Sequence, residues 1–269
     1  FRHAGLKAAV LNLDDAFGRE LLAALPDGVE GLGYSLTPGG ARAAGRWLEA
    51  EVTSDGEGLH LAIASDQGQG ELRVRLLGRF NASNLLAALG VLLVRGLEFD
   101  EALARLRQVR TVPGRMEVFG GGRQPLVVVD YAHTPQALEQ VLQALREHCR
   151  GQLWCIFGAG GDRDPGKRPL MGAVAERLAD HVMITDDNPR HEDATRIVMD
   201  ILDGMQAPDA AYIERDRGQA IARVLAFTGP GDVVLVAGKG HEEFQLVGDE
   251  RIPFSDRRHV QILLGEGQS

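Results

Sequence analysis

The sequence predicts an α/β protein in two parts. An open, mostly parallel sheet with helices on both faces occupies residues 113–269, and a part with a small antiparallel β region, residues 1–112, precedes it. Three observations carry this reading. Residues 126–264 repeat a strand–loop–helix rhythm, as a parallel sheet with helical crossovers requires. Residues 49–77 alternate polar and apolar side chains between glycine turns, the pattern of antiparallel strands. The 269 residues, 44% hydrophobic and 25% charged, suffice for one full globular domain and part of another.

Along the chain, an apolar run at 6–11 reads as a strand. The alternation over 49–77 is broken by turn signals at Ser54, Asp55 and Gly56 and at Gly68, Gln69 and Gly70. Apolar helices follow at 84–94 and 98–109. Pro113, Gly114 and the glycines at 120–122 mark 111–124 as a hinge between domains. Residues 126–130 form the continuous apolar run of a strand buried on both faces. Thr134 and Pro135 then supply an N-cap and a first-turn proline, and Leu138, Val141, Leu142 and Leu145 recur at helical spacing. A strand at 153–157 leads through a glycine-rich loop to a helix opened by Pro169. The strand at 181–185 precedes a helix with Ile197, Val198, Ile201 and Leu202. Residues 211–214 precede a helix with Ala220, Ile221, Val224 and Leu225. A last strand at 232–237, a hairpin through Gly248 and Asp249, and a final helix complete the chain.

A net charge of -9 argues against a general nucleic-acid binder, which needs a basic stripe, and fits poorly with an anionic membrane surface. No apolar run approaches the ~18 residues of a membrane span, and no signal peptide is visible, so the expected location is cytoplasmic. Cys149 and Cys155 sit in apolar surroundings and read as buried free thiols. The chain begins at Phe1 with a strand almost at once, which reads as a start within a domain. His3, His60 and His259 read as ordinary surface or capping residues. Zinc-ligand spacing and a G-x-S-x-G nucleophile turn are both missing from the sequence.

Doubly wound sheets bind ligands beyond the carboxyl ends of their strands, and four polar or glycine clusters fall there. At 130–133, Asp130 can accept from a ribose hydroxyl and His133 can meet phosphate, although an aspartate capping the next turn explains the pattern as well. At 158–168, residues 161–167 satisfy G-x-x-x-x-G-K, but Arg168 stands where a magnesium-binding Ser or Thr belongs. Pro169 also removes a backbone N–H where phosphate would be cradled, so this is not a true P-loop. Arg163, Lys167 and Arg168 at a helix start still read as an anion site, with a solvated basic turn as the competing reading. At 186–190, Asp187 and Asn188 can take an ammonium group and Arg190 a carboxylate, unless this is a turn with fortuitous charges. At 237–242, the glycines permit close backbone approach and Glu242 suits an ammonium group, or the segment is a plain loop.

These clusters, with Gly78, Arg79, Phe80, Asn81 and Asn84 and with Gly114, Arg115, Met116 and Glu117, form six segments in order. D-Y-A-H-T-P at 130–135, G-G-D-R-D-P-G-K-R at 160–168, D-N-P-R at 187–190 and G-K-G-H-E at 238–242 make the pattern specific, and it covers essentially the whole chain. The sequence resembles the muramyl peptide ligase (Mur ligase) family, and within it the members that add meso-diaminopimelate.

The resemblance implies a three-domain, ATP-dependent amide-bond ligase of peptidoglycan synthesis. One domain holds a UDP-sugar, a central one binds ATP, and a C-terminal Rossmann-like one brings the incoming amino acid. Residues 1–112 resemble the end of the central ATP-binding domain, and residues 113–269 the whole amino-acid domain. In such enzymes ATP phosphorylates a carboxylate of the UDP-muramoyl dipeptide, and the amine of the added residue attacks the acyl phosphate. By position, Asn81, Asn84, Arg115 and Asp130 resemble adenine and ribose contacts, and Lys167 and His133 phosphate contacts. Arg163, Asp187, Asn188, Pro189, Arg190, Gly238 and Glu242 resemble diaminopimelate contacts. The family's ATP loop, Mg2+ ligands, modified lysine and catalytic residues match positions upstream of Phe1, so this chain is not expected to catalyse alone. A monomer is expected, with apolar surface exposed on the central part. Other readings are a lysine-adding ligase of the same family and a non-catalytic nucleotide- or amino-acid-binding module. A nicotinamide dehydrogenase is disfavoured because Arg163 breaks G-x-G-x-x-G.

Overall fold

The computed structural model describes residues 5–55 and 58–266, and the chain divides into two units, Phe1–Arg110 and Thr111–Ser269. His3 and Gly56 of the predicted turn at 54–56 lie outside the described residues.

The first unit contains β1 (Ala8–Asn12), α1 (Ala16–Ala23), β2 (Glu30–Ser35), β3 (Arg46–Asp55), β4 (Gly58–Ser65), β5 (Gln69–Val74), α2 (Arg79–Val94) and α3 (Phe99–Leu106). One sheet runs in the order β1-β2-β3-β4-β5. β3 to β5 are antiparallel, as the alternation predicts, but β3 begins as the parallel neighbour of β2. The sequence reading missed β2 and α1 for a local reason. Gly31 and Gly33 lower strand propensity, yet a Cβ at either would lie under 3.0 Å from leucines of α1 and its flanks or from Ala44. The glycines admit a close helix–sheet approach. Leu85, Leu86, Leu89 and Leu93 of α2 pack with Leu32, Leu48, Leu61 and Leu72 of the sheet in one apolar core. Phe17, Phe80 and Val91 are exposed large apolar side chains of this unit.

The second unit contains β6 (Glu117–Gly120), β7 (Leu126–Asp130), α4 (Pro135–Arg146), β8 (Leu153–Phe157), α5 (Lys167–Leu178), β9 (His181–Ile184), α6 (Ala194–Leu202), β10 (Tyr212–Ile213), α7 (Arg217–Phe227), β11 (Val233–Ala237), β12 (Phe244–Val247), β13 (Glu250–Pro253) and α8 (Asp256–Leu264). The main sheet has the order β10-β9-β8-β11-β7-β6, parallel except for the edge strand β6. Every residue of β7, β8 and β11 is buried, which is why they read as unbroken apolar runs. Ala220, Ile221 and Val224 of α7 and Val260 of α8 close one face, packing on Val127, Val129, Ile156, Val234 and Val236. α4 and α5 pack on the sheet through β8, β11 and β9, with α6 beside α5. The predicted caps hold: Thr134 Oγ1 accepts from Ala137 N–H at 3.3 Å, with Pro135 opening α4. α5 begins at Lys167 rather than at Pro169, because a proline needs no N–H donor within the first turn. Cys155 is buried, whereas Cys149 is partly exposed, which corrects the expectation of two buried thiols. Among the described residues no helix is long and apolar enough to cross a membrane.

Candidate functional site

β7, β8, β9 and β11 are parallel, so their carboxyl ends share one rim, and all four polar clusters of the second unit start there. β11 inserts between β8 and β7, which reverses the winding, and such switch points are where doubly wound sheets take ligands.

After β9, Asp187 and Asn188 are 8% and 4% exposed, and Pro189 is also buried. The Asp187 carboxylate has no hydrogen-bond or ion-pair partner among the described residues. Burial pushes it above the ordinary carboxylate range, against the pull of Arg217 and Lys239. Gly238 makes room for it: a Cβ there would lie 2.4 Å from Asp187 Oδ2, and the glycine φ of +116° disfavours a side chain in any case. Asn188 Nδ2 donates to Glu242 Oε2 at 3.0 Å, while its Oδ1 accepts from Lys239 Nζ and from Leu246 N–H, both at 2.9 Å. Although partial burial opposes ionisation of Glu242, the bonds from Asn188 and Lys239 hold it below its ordinary range.

Arg190 closes this segment in a left-handed conformation, φ 52°, uncommon for a side chain of this size. Its N–H donates to Leu246 O at 3.0 Å, and its carbonyl accepts from Gly248 N–H at 2.7 Å, so the β12–β13 hairpin over-determines the strained backbone. Nη1 donates to Gly161 O at 2.8 Å. Nε and Nη2 make no hydrogen bond among the described residues, which leaves a planar edge suited to a carboxylate.

The glycine-rich loop after β8 lies against this segment, with Gly161 N–H donating to Asn188 O at 2.9 Å. Arg163 is exposed and Lys167 half-buried, neither with an ion pair among the described residues. Arg168 corrects the three-cation reading. It is fully buried and points inward, donating to Glu192 (2.6 Å from each of Nη1 and Nη2), to Asp200 Oδ2 (2.7 Å) and to Gly160 O (3.2 Å). The apolar flanks and the two acids downstream draw it in, which leaves Arg163 and Lys167 as the cations of this loop without an ion pair among the described residues.

At β7, Asp130 is 6% exposed, and its two oxygens accept from Met116 N–H and Ala132 N–H at 2.8 Å each. Burial raises its pKa, partly offset by those amides and by Arg115 and His133. The turn-capping role read as an alternative is therefore present in the structure. The Arg115 guanidinium stacks 4.6 Å from the Tyr131 ring centroid, and exposed His133 packs edge-on to the same ring. In the first unit, Asn81 and Asn84 occupy the first two turns of α2. Asn81 Nδ2 donates to Leu77 O at 2.8 Å and its Oδ1 accepts from Asn84 Nδ2 at 3.3 Å.

The sequence reading missed the supporting shell. Lys239 is fully buried beneath Asn188 and Glu242. Gln245 donates to the carbonyls of Asp186 and Asp187 at 3.2 and 2.9 Å. Arg217 and Asp256 form a fully buried two-bond ion pair that also donates to Ala237 O. The one available signal was a lysine between two glycines directly after a buried strand. Among the described residues no group of three or more His, Cys, Asp or Glu is placed to hold a metal ion.

Residues 1–92 match the family model "Mur ligase middle domain" and residues 114–240 match "Mur ligase, glutamate ligase domain". The UDP-N-acetylmuramoyl-L-alanyl-D-glutamate--2,6-diaminopimelate ligase of Ectopseudomonas mendocina (strain ymp) is 51% identical over 95% of this chain and 52% of its own length. The protein of the same name from Alkalilimnicola ehrlichii (strain ATCC BAA-1101 / DSM 17681 / MLHE-1) is 50% identical over 97% of this chain and 52% of its own. A solved structure of a ligase of that name superposes with a TM-score of 0.75 at 38% identity, covering 96% of this chain and 53% of the other. The chain spans about half the length of the curated relatives it matches.

Proposed function

This chain belongs to the Mur ligase family, carrying its middle and glutamate ligase domains, and we propose that it is the amino-acid-receiving part of an ATP-dependent ligase that adds meso-diaminopimelate to UDP-N-acetylmuramoyl-L-alanyl-D-glutamate. One observation carries the reading. A buried, unpartnered Asp187 carboxylate and Glu242 lie in one cluster with Arg190, whose planar edge is unoccupied. Two carboxylates and one guanidinium suit the ammonium and carboxylate at the distal end of a diamino diacid. Lysine offers only the ammonium and would leave Arg190 unpaired, a loss that specific sites turn into strong discrimination.

In this reading the chain's residues bind and orient. Asp187 and Glu242 hold the distal ammonium, with Gly238 allowing its approach, and the spare Asn188 N–H donates to the distal carboxylate. Arg190 and Arg163 hold the distal carboxylate, and Pro189 sets the turn between them. The proximal amine is thereby aimed at an acyl phosphate generated with ATP. Lys167 and His133 suit phosphate oxygens, Arg115 and Asp130 suit the nucleoside, and Asn81 and Asn84 in the first unit share that assignment by family resemblance. A cytoplasmic monomer is part of the same proposal.

Calorimetric titration of this chain with meso-diaminopimelate, with L-lysine as control, tests the reading. Selective binding is expected, and Arg190→Ala should weaken meso-diaminopimelate by about 30-fold or more, the cost of removing one partner of a buried charge pair. L-Lysine should change by less than about threefold, within 1 kcal/mol. Equal losses for the two amino acids would remove Arg190 from the distal carboxylate.

A further inference from the structure

Lys239 is 0% exposed although it follows directly on the carboxyl end of β11. An ammonium is seldom buried without a purpose, because the charge gives up its hydration. Its donors are spent on the two residues that the amino-acid reading needs most, Asn188 Oδ1 at 2.9 Å and Glu242 Oε2 at 3.0 Å. The Phe244 ring centroid lies 6.0 Å from Nζ.

These bonds determine orientation. Asn188 Oδ1 receives both Lys239 Nζ and Leu246 N–H, which fills its two acceptor positions. The amide therefore cannot flip without opposing donor to donor, and Nδ2 is held toward Glu242 Oε2. Glu242 Oε2 in turn takes two donors, whereas Oε1 has no hydrogen-bond partner among the described residues. One Asn188 N–H and one Glu242 oxygen are left over. Asp187, Glu242 and Asp256 bring three negative charges into this neighbourhood and Lys239, Arg217 and Arg190 three positive ones, so the cluster is balanced for a zwitterionic ligand end.

We propose that Lys239 is a positioning residue: its buried ammonium locks the Asn188 amide and the Glu242 carboxylate in one orientation before any ligand arrives. The role of that orientation in binding rests on the amino-acid reading of the site. A group held by packing and by a second layer of hydrogen bonds binds more tightly than one free to turn, because its ordering is completed in advance.

The test uses this chain with Lys239→Met and Lys239→Arg, following the Asn188 side-chain NH2 signals by 15N-resolved NMR and meso-diaminopimelate affinity by calorimetry. Asn188→Asp identifies the signals by their loss. Wild type should show two resolved, slowly exchanging Asn188 protons. Lys239→Met should move them to the shifts of a free amide, speed their exchange with solvent and weaken meso-diaminopimelate by about 10- to 100-fold, the scale of a small misplacement. Lys239→Arg keeps the charge but spreads the donors over a plane. If the lysine only balances charge, this variant keeps wild-type signals and affinity, which would overturn the proposal. Positioning predicts shifted Asn188 signals and a loss of about tenfold, and this variant decides the question even if Lys239→Met does not fold. A wild-type chain that binds no meso-diaminopimelate, yet whose Asn188 signals still depend on Lys239, would remove the amino-acid reading and leave the positioning role supported.

Discussion

At the scale of single residues, the site's cost is concentrated in Asp187. Burial raises its folded-state pKa above the ordinary value of 3.8. Between that value and the raised one, the folded state binds more protons than the unfolded chain, so stability falls as pH rises through this window. The penalty is complete above the raised pKa and absent below 3.8. Asp187→Asn should therefore raise the thermal midpoint at neutral pH, with the gain vanishing below pH 3.8, as a series of melts across pH would record. The same substitution should abolish selective meso-diaminopimelate binding, since the amide cannot pair with an ammonium as a carboxylate does. In wild type, affinity should fall as pH drops through the raised pKa of Asp187. A midpoint that is lower at neutral pH would show that Arg217 and Lys239 outweigh the desolvation. Stability given up at a binding residue is the usual mark of a functional site.

At the scale of elements, Arg168 connects three pieces of chain: the loop after β8 through Gly160, the segment after β9 through Glu192, and α6 through Asp200. Glu192, held below the ordinary range chiefly by its bonds from Arg168, also accepts from Asp162 N–H. Removing the cation leaves two acids facing each other around an apolar space. Arg168→Met should cost about 3 kcal/mol, the low end for breaking a buried pair, because Glu192 and Asp200 keep 27% and 19% side-chain exposure. Urea unfolding measures the loss. A cost under ~1 kcal/mol, the level of a surface pair, would make the network ornamental. The β12–β13 hairpin acts on the other side of the same segment. Through Gln245, Leu246 and Gly248 it makes five of the hydrogen bonds that shape residues 186–190.

At the scale of the whole molecule, apolar clusters of the described residues close within single units, two within Phe1–Arg110 and one, on the α7–α8 face of the sheet, within Thr111–Ser269. A core closed within one segment lets that segment fold by itself. Residues 111–269 expressed alone should melt cooperatively and bind meso-diaminopimelate within about threefold of the full chain, under 1 kcal/mol. A broad melt without a baseline transition would show that this core is not sufficient.

Much of this was legible before any coordinates. The unbroken runs of β7, β8 and β11 announced strands buried on both faces, and Thr134 with Pro135 announced the start of α4, because burial and capping leave local marks on residue type. The clusters at 130–133, 158–168, 186–190 and 237–242 were legible as strand ends because a buried apolar run stops where polar and glycine residues begin. β2 and α1 were not, since Gly31 and Gly33 serve a helix–sheet approach that only their neighbours reveal. Nor could periodicity tell Arg163 from Arg168, five residues apart in one loop, of which one is exposed and the other is fully buried between Glu192 and Asp200. The sequence alone determined the fold class and the segments that carry the chemistry, because hydrophobic period and turn residues are local properties. Tertiary structure alone decided which charges stay exposed and which are buried and hold their neighbours in place, because hydrogen bonds such as Lys239 to Asn188 join residues that are 51 positions apart in the chain.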